Sequence, residues 1–161
     1  MTTLKKFTTA RNESFKTTLL RWGLNLFPAY LGTGANISFL SEDFQEVHVR
    51  IPYNWRTRDS LGKIFGGSLY GAVDPVYTMI LRRNLDDSFR IKEAEANVRF
   101  LKPAKTDLFG RMVIENEELE RIRDELTHHD SVTRVYSVDL VDDTETVYAR
   151  VDKTFTITRP D

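Results

Sequence analysis

Asp74 is the only ionisable carboxylate in the long apolar run from Ile64 to Leu81, and this makes it the most informative residue in the chain. A carboxylate buried without a partner is costly. The pattern therefore leaves three readings: an ion pair with an arginine such as Arg58 or Arg99, a solvated helix end, or a functional role. Pro75 follows directly. Inside a helix its ring clashes with the carbonyl four residues back, at Gly71, and removes a backbone bond, so a kink is expected beside Asp74. Gly66 and Gly67 open the same run. Two glycines at a helix start leave backbone N–H groups uncovered where the dipole adds positive potential, which suits an oxyanion or a phosphate.

Other reactive side chains carry less. Ser68 lacks a G-x-S-x-G frame and has no histidine near it in sequence, so a serine nucleophile with His48 is disfavoured. His128 and His129 are adjacent in a polar stretch and point in different directions, which fits a solvated loop; no metal site is expected. There is no cysteine, which removes disulfides, thiolate nucleophiles and cysteine-based metal centres together.

The elements that must position Asp74 follow from periodicity. Phe15, Leu19, Trp22 and Leu26 recur at helical spacing, which predicts an N-terminal helix over about 11–27. Asn12 or Ser14 would cap its start and Pro28 would stop it. Its apolar stripe is expected to pack on the body of the protein; a membrane-surface helix would want a denser basic face than Arg11, Lys16 and Arg21 supply. Residues 34–51 read as a hairpin, with Val47, Val49 and Ile51 alternating against Glu46, His48 and Arg50.

From about 66 to 84 apolar residues surround nearly the whole circumference, the signature of a buried helix. Four more strands are expected at 94–102, 107–116, 131–141 and 146–158, with a short amphipathic helix carrying Leu119, Ile122 and Leu126 between the middle pair. Consecutive antiparallel strands bury a long apolar helix by curling around it. The expectation is α+β: a curved antiparallel sheet wrapped around a long central helix, plus the N-terminal helix, as one domain over 1–161.

Composition bounds the partners. Of 161 residues 40% are hydrophobic and 29% charged, with 23 Lys+Arg against 24 Asp+Glu. That excludes a disordered chain, and a net charge of -1 gives no whole-chain attraction to nucleic acid or to an anionic membrane. The amino terminus has charges but no following apolar stretch, unlike a secretory signal. Asp74 in mid-bilayer would cost about 2.5–3.5 kcal/mol, so the apolar run is no membrane span. A soluble, cytoplasmic protein is expected.

The stretch from Asp59 through Gly62, Phe65-Gly66-Gly67-Ser68 and Asp74-Pro75 resembles the signature of hotdog-fold acyl-CoA thioesterases, with an acidic residue eight positions after the first of the paired glycines. Arg99 to Ala104 looks like that family's strand after the helix. The strongest similarity is to a bacterial branch of unknown function related to phenylacetate-pathway thioesterases, over roughly residues 15–158. The resemblance implies a hotdog fold and an acyl thioester of coenzyme A as substrate, with no further cofactor. It makes Asp74 the base or nucleophile and the Gly66 N–H the oxyanion donor. Asp59 stands where many relatives have a water-orienting asparagine, and Phe65 replaces a histidine.

Substrate contacts fall by the same resemblance on Phe65, Gly67, Ser68, Tyr70 and Tyr77. Arg99 and Lys102 are candidates for the coenzyme A phosphates, or simply a solvated strand face. It also implies a homodimer or dimer of dimers. An acyl-CoA thioesterase is the leading reading; a non-catalytic acyl-CoA or lipid-binding hotdog protein is the alternative. A hotdog hydratase is disfavoured for want of a histidine near the helix.

Overall fold

The structure, a computed structural model, describes residues 7–85 and 87–159. The first six residues, part of the stretch read above against a secretory signal, lie outside it. Helix α1 (Phe15–Leu26) leads into a single turn, α2 (Pro28–Leu31). Strands β1 (Asn36–Leu40) and β2 (Glu46–Ile51) form the expected hairpin. The central helix comes as α3 (Gly66–Val73) and α4 (Val76–Asn84). Then follow β3 (Arg90–Phe100), β4 (Leu108–Val113), α5 (Asn116–His128), β5 (Ser131–Val141) and β6 (Val147–Thr158). The six strands make one antiparallel sheet in the order β1-β2-β4-β5-β6-β3.

The sheet curls around the central helix as its apolar content requires. Leu69, Ala72, Val73, Val76, Tyr77, Ile80 and Leu81 are buried against inward residues such as Val47, Val49, Ala149, Val151 and Phe155. Leu119, Ile122 and Leu126 of α5 join the same core. The helix is not apolar-covered all round, however. Tyr70, Asp74, Thr78 and Met79 are half-buried and Arg82 is exposed, so one long face stays open.

Proline breaks the helix where expected. Asp74 is the C-cap of α3 and Pro75 the N-cap of α4, both with right-handed helical dihedrals. The Asp74 N–H still reaches Tyr70 O at 2.9 Å and the Met79 N–H reaches Pro75 O at 3.0 Å. Pro75 itself has no N–H to offer Gly71.

The N-terminal helix departs from expectation. Ser14 caps it through a reciprocal pair with Thr17, but Phe15, Leu19, Trp22 and Leu26 face outward, exposed, instead of packing on the body. The cause lies in the strand beneath. β1 is an edge strand with unpaired backbone groups, and such an edge needs covering. Asn25 supplies both halves of a backbone-like pair, its amide donating to Ile37 O at 2.9 Å and its carbonyl accepting from Ile37 N at 2.7 Å. Glu13 accepts from Leu40 N. The flank carrying Asn25 is thereby turned inward, with Leu24 packed against the core, and the Phe15, Leu19, Trp22 and Leu26 stripe faces outward. In β1 a register shift between Ile37 and Phe39 puts Leu40 inward while Phe39 is only half-buried.

Candidate active site

Asp74 sits at the helix break with 46% of its side chain exposed, so it is open rather than sealed. Its partner is neither Arg58 nor Arg99. Arg99 instead bonds Asp152 at 2.6 Å, and Arg58 lies over the Tyr53 ring. The partner is Lys153, whose Nζ stands 2.8 Å from Asp74 Oδ1 and 2.8 Å from Glu93 Oε2, and also donates to the Asp74 backbone carbonyl. The Lys153 side chain is fully buried. Two hydrogen bonds to Asp74 and the ion pair with Glu93 offset the burial of its ammonium, as a buried charge requires.

Burial opposes ionisation of Asp74. The Lys153 hydrogen bond and charge, with the nearby Tyr70 hydroxyl, outweigh it and hold the carboxyl below the ordinary carboxylate range. Tyr70 donates to Glu93 at 3.3 Å. Burial first, then the Asp74 and Glu93 carboxylates, push its phenol up, keeping it a neutral donor.

Asp74 and Glu93 open on a cavity of about 760 Å³ walled by α1 and α4, within the usual size for small-molecule sites. The start of α3 faces a second cavity, of about 370 Å³, lined by Gly66, Phe100, Leu101 and Lys102. The N–H groups of Gly66 and Gly67 have no acceptor among the described residues. Aromatic rings explain both glycines: a Cβ on Gly67 would fall 2.3 Å from the Phe65 ring and one on Gly66 3.1 Å from Phe100. Phe65 precedes α3 and is exposed.

The remaining candidates scatter. Asp59 is engaged by its own turn, accepting from the backbone of Leu61 and Lys63 and pairing with the Lys63 ammonium at 2.6 Å. Tyr77 is buried, its hydroxyl donating to Ser137 O and its ring stacked on Tyr136, so it lines neither cavity. Ser68 is buried as well. His48 is held by Glu46 at 2.7 Å on β2. His128 and His129 are exposed, and among the described residues no group of three or more His, Asp or Glu is placed to hold a metal ion. No helix there is long and apolar enough to cross a membrane.

Sequence reasoning passed over Lys153 and Glu93. The signal for Lys153 was present: it shares the inward phase of β6 with Ala149, Val151, Phe155 and Ile157. A lysine among those positions marks a buried charge in need of a carboxylate.

The curled antiparallel sheet around a broken central helix is a hotdog fold. The chain belongs to the family described as a domain of unknown function, DUF4442, whose profile matches residues 16–157. A Pseudomonas aeruginosa protein of unknown function, described as a probable thioesterase, is similar with a TM-score of 0.78 and 19% identity, over 89% of this chain and 95% of that one. A Haemophilus influenzae thioesterase is similar at TM-score 0.64 and 14% identity, over 94% and 96% of the two chains. A mutant thioesterase from Pseudomonas aeruginosa gives 0.64 and 13%, over 94% and 99%. At such identities the likeness is one of fold. No curated protein matches in sequence.

Proposed function

We propose that this protein hydrolyses acyl thioesters of coenzyme A, as a homodimer or dimer of dimers in which each site draws on two chains. The observation that carries the reading is Asp74: an ionised carboxylate, fixed through one oxygen by Lys153 and half-exposed to an apolar cavity. In the reaction the thioester carbonyl accepts from the Gly66 N–H. Asp74 takes a proton from water as the water oxygen bonds the carbonyl carbon, the C–S bond breaks and the proton passes to the departing coenzyme A thiolate. Alternatively, Asp74 attacks the carbon itself, expelling the thiolate to give an acyl anhydride that water then hydrolyses. Donors aimed at a developing oxyanion contribute about 2.7–4 kcal/mol each. Lys102 beside the Gly66 cavity is placed for a coenzyme A phosphate, whereas Arg99 is already paired with Asp152.

Two features support the dimer. Gly66 and Asp74 open on different cavities, so one chain does not bring donor and carboxylate together. β3 is an eleven-residue strand at the sheet edge, paired only with β6 and mostly exposed; a long free edge of this kind invites another strand.

The second reading, an acyl-CoA or lipid-binding protein without catalysis, is favoured by the Asp74–Lys153 pair, which lowers the basicity of the carboxylate. Hydrolysis of an acyl-CoA panel by wild type and Asp74→Asn separates the two. A thioesterase loses about a hundredfold or more in the variant while keeping its melting temperature. Wild-type protein that binds acyl-CoA but releases no free thiol would establish the alternative.

A further inference from the structure

The slot between α1 and α4 has a shape that says more about the ligand than the carboxylate does. The α1–α2 segment runs opposite to the α3–α4 segment: Leu20 of α1 lies with Phe44 and Arg83 at one end, and Tyr30 of α2 donates to Ala72 O of α3 at the other, at 2.9 Å. Between them the walls are Leu20 and Leu24 on one side and Met79 on the other, flexible apolar side chains that fit an unbranched chain. Charged groups stand only at the ends, with the Thr78 hydroxyl the one polar group on the wall between them. Asp74 and Glu93 occupy one; Arg82 and Arg83 occupy the other, the Arg83 guanidinium seated 4.8 Å over the Phe44 ring.

We infer that this slot holds the acyl group, and that the substrate is a straight, medium-length fatty acyl thioester. The inference rests on the thioesterase reading for its carbonyl, which must lie at Asp74, and adds the course and length of the chain. From Asp74 to Arg82 is eight residues, about 12 Å along a helix axis, the length of roughly nine or ten extended carbons. Beyond that point an apolar tail meets the Arg83–Phe44 pair. Pushing methylenes against a guanidinium strips it of water without giving it a partner. The pair is therefore a stop that sets chain length, and α1 is a specificity wall whose inner flank touches the ligand.

The test is kcat/KM across acetyl-, butyryl-, decanoyl-, palmitoyl- and phenylacetyl-CoA. Wild type should favour decanoyl. Leu24→Trp and Met79→Trp fill the slot from opposite walls, so misfolding of one leaves the other to report. Each should lower the decanoyl-to-butyryl ratio by roughly 20-fold or more, the scale of losing several methylene contacts. Arg83→Ala should raise palmitoyl relative to decanoyl.

A flat chain-length profile, a preference for phenylacetyl-CoA, or unchanged ratios in both tryptophan variants would overturn the slot while leaving the thioesterase intact. If no thioester is hydrolysed, the thioesterase reading fails and calorimetric titration with decanoyl-CoA decides the slot alone. Binding weakened by Leu24→Trp or Met79→Trp upholds it; absence of binding, or binding indifferent to both, overturns it.

Discussion

The Lys153 ammonium stands 2.8 Å from Asp74 Oδ1, yet lysine is fully buried while the carboxylate is half-open. The cation is thus held inside the fold and the anion is presented to the cavity. Lys153→Met removes the charge that keeps the Asp74 carboxyl low and leaves the burial that raises it. The acid limb of kcat/KM should accordingly move to higher pH. Methionine fills the space but leaves the Asp74 and Glu93 carboxylates without their cation, and removing one partner of a buried pair is destabilising, so the melting temperature should fall as well. A pH profile beside a melting curve checks this: a merely structural lysine would change the melt and leave the limb in place.

The geometry of that pair was only partly legible in the sequence. The apolar run announced the helix, and Pro75 announced its break, because both follow from local sterics and periodicity. Asp74 had to find a partner, but which cation it found depends on how β6 lies against the helix, a tertiary fact. The outward stripe of α1 was illegible for a different reason. A helical wheel shows which face is apolar; it does not show that the neighbouring strand edge needs Asn25 and Glu13 more than the core needs Phe15 and Trp22.

That edge gives a stability prediction. Asn25→Ala deprives both Ile37 backbone groups of their partners. The loss should be about 1–3 kcal/mol, the scale of leaving buried polar groups unsatisfied, read as a lower urea midpoint at unchanged slope. An unchanged midpoint would mean that water or a shift of α1 serves the strand equally well.

Glu46 links stability to pH. Burial would raise its carboxyl, but hydrogen bonds from Arg111, His48 and Thr9 and the Arg111 charge bring it down from 4.5 to about 2. A carboxyl depressed in the folded state stabilises above its unfolded value, and that stability disappears as pH falls through the folded one. Glu46→Gln should therefore melt below wild type at neutral pH, and the gap should close between pH 4.5 and about 2. Calorimetric melts across that range measure it; a gap independent of pH would place the loss in packing instead.

Asp59 is expected to tolerate Asp59→Asn. Its Oδ1 accepts from the Leu61 and Lys63 backbones, which an asparagine oxygen does as well, and the Lys63 pair it loses is partly exposed. Turnover should stay near the wild-type rate. A loss of about a hundredfold, the scale of removing an acid–base group, would show instead that Asp59 and Asp74 act together.

The strongest demand of the proposed chemistry falls on assembly. Eight residues separate Gly66 from Asp74, about 12 Å along a straight helix, whereas a reacting carbonyl must lie about 3 Å from both oxyanion donor and attacking group. The break at Pro75 recovers only part of that distance, since both residues of the break keep helical dihedrals. An isologous dimer that pairs the β3 edges would set two central helices side by side and antiparallel, bringing Gly66 of one chain to Asp74 of the other, twice. Asp74→Asn retains the donor and loses the carboxylate. Gly66→Val crowds Phe100, already 3.1 Å from where a Cβ would sit, and covers the donor while keeping the carboxylate. Each variant alone should be inactive. After subunit exchange, half of the dimers in an equal mixture are mixed and each carries one intact site of two, so activity should recover to roughly a quarter of wild type. Exchange confirmed by mass with no recovery, or full activity in a monomer, would mean that a single chain closes the 12 Å by itself.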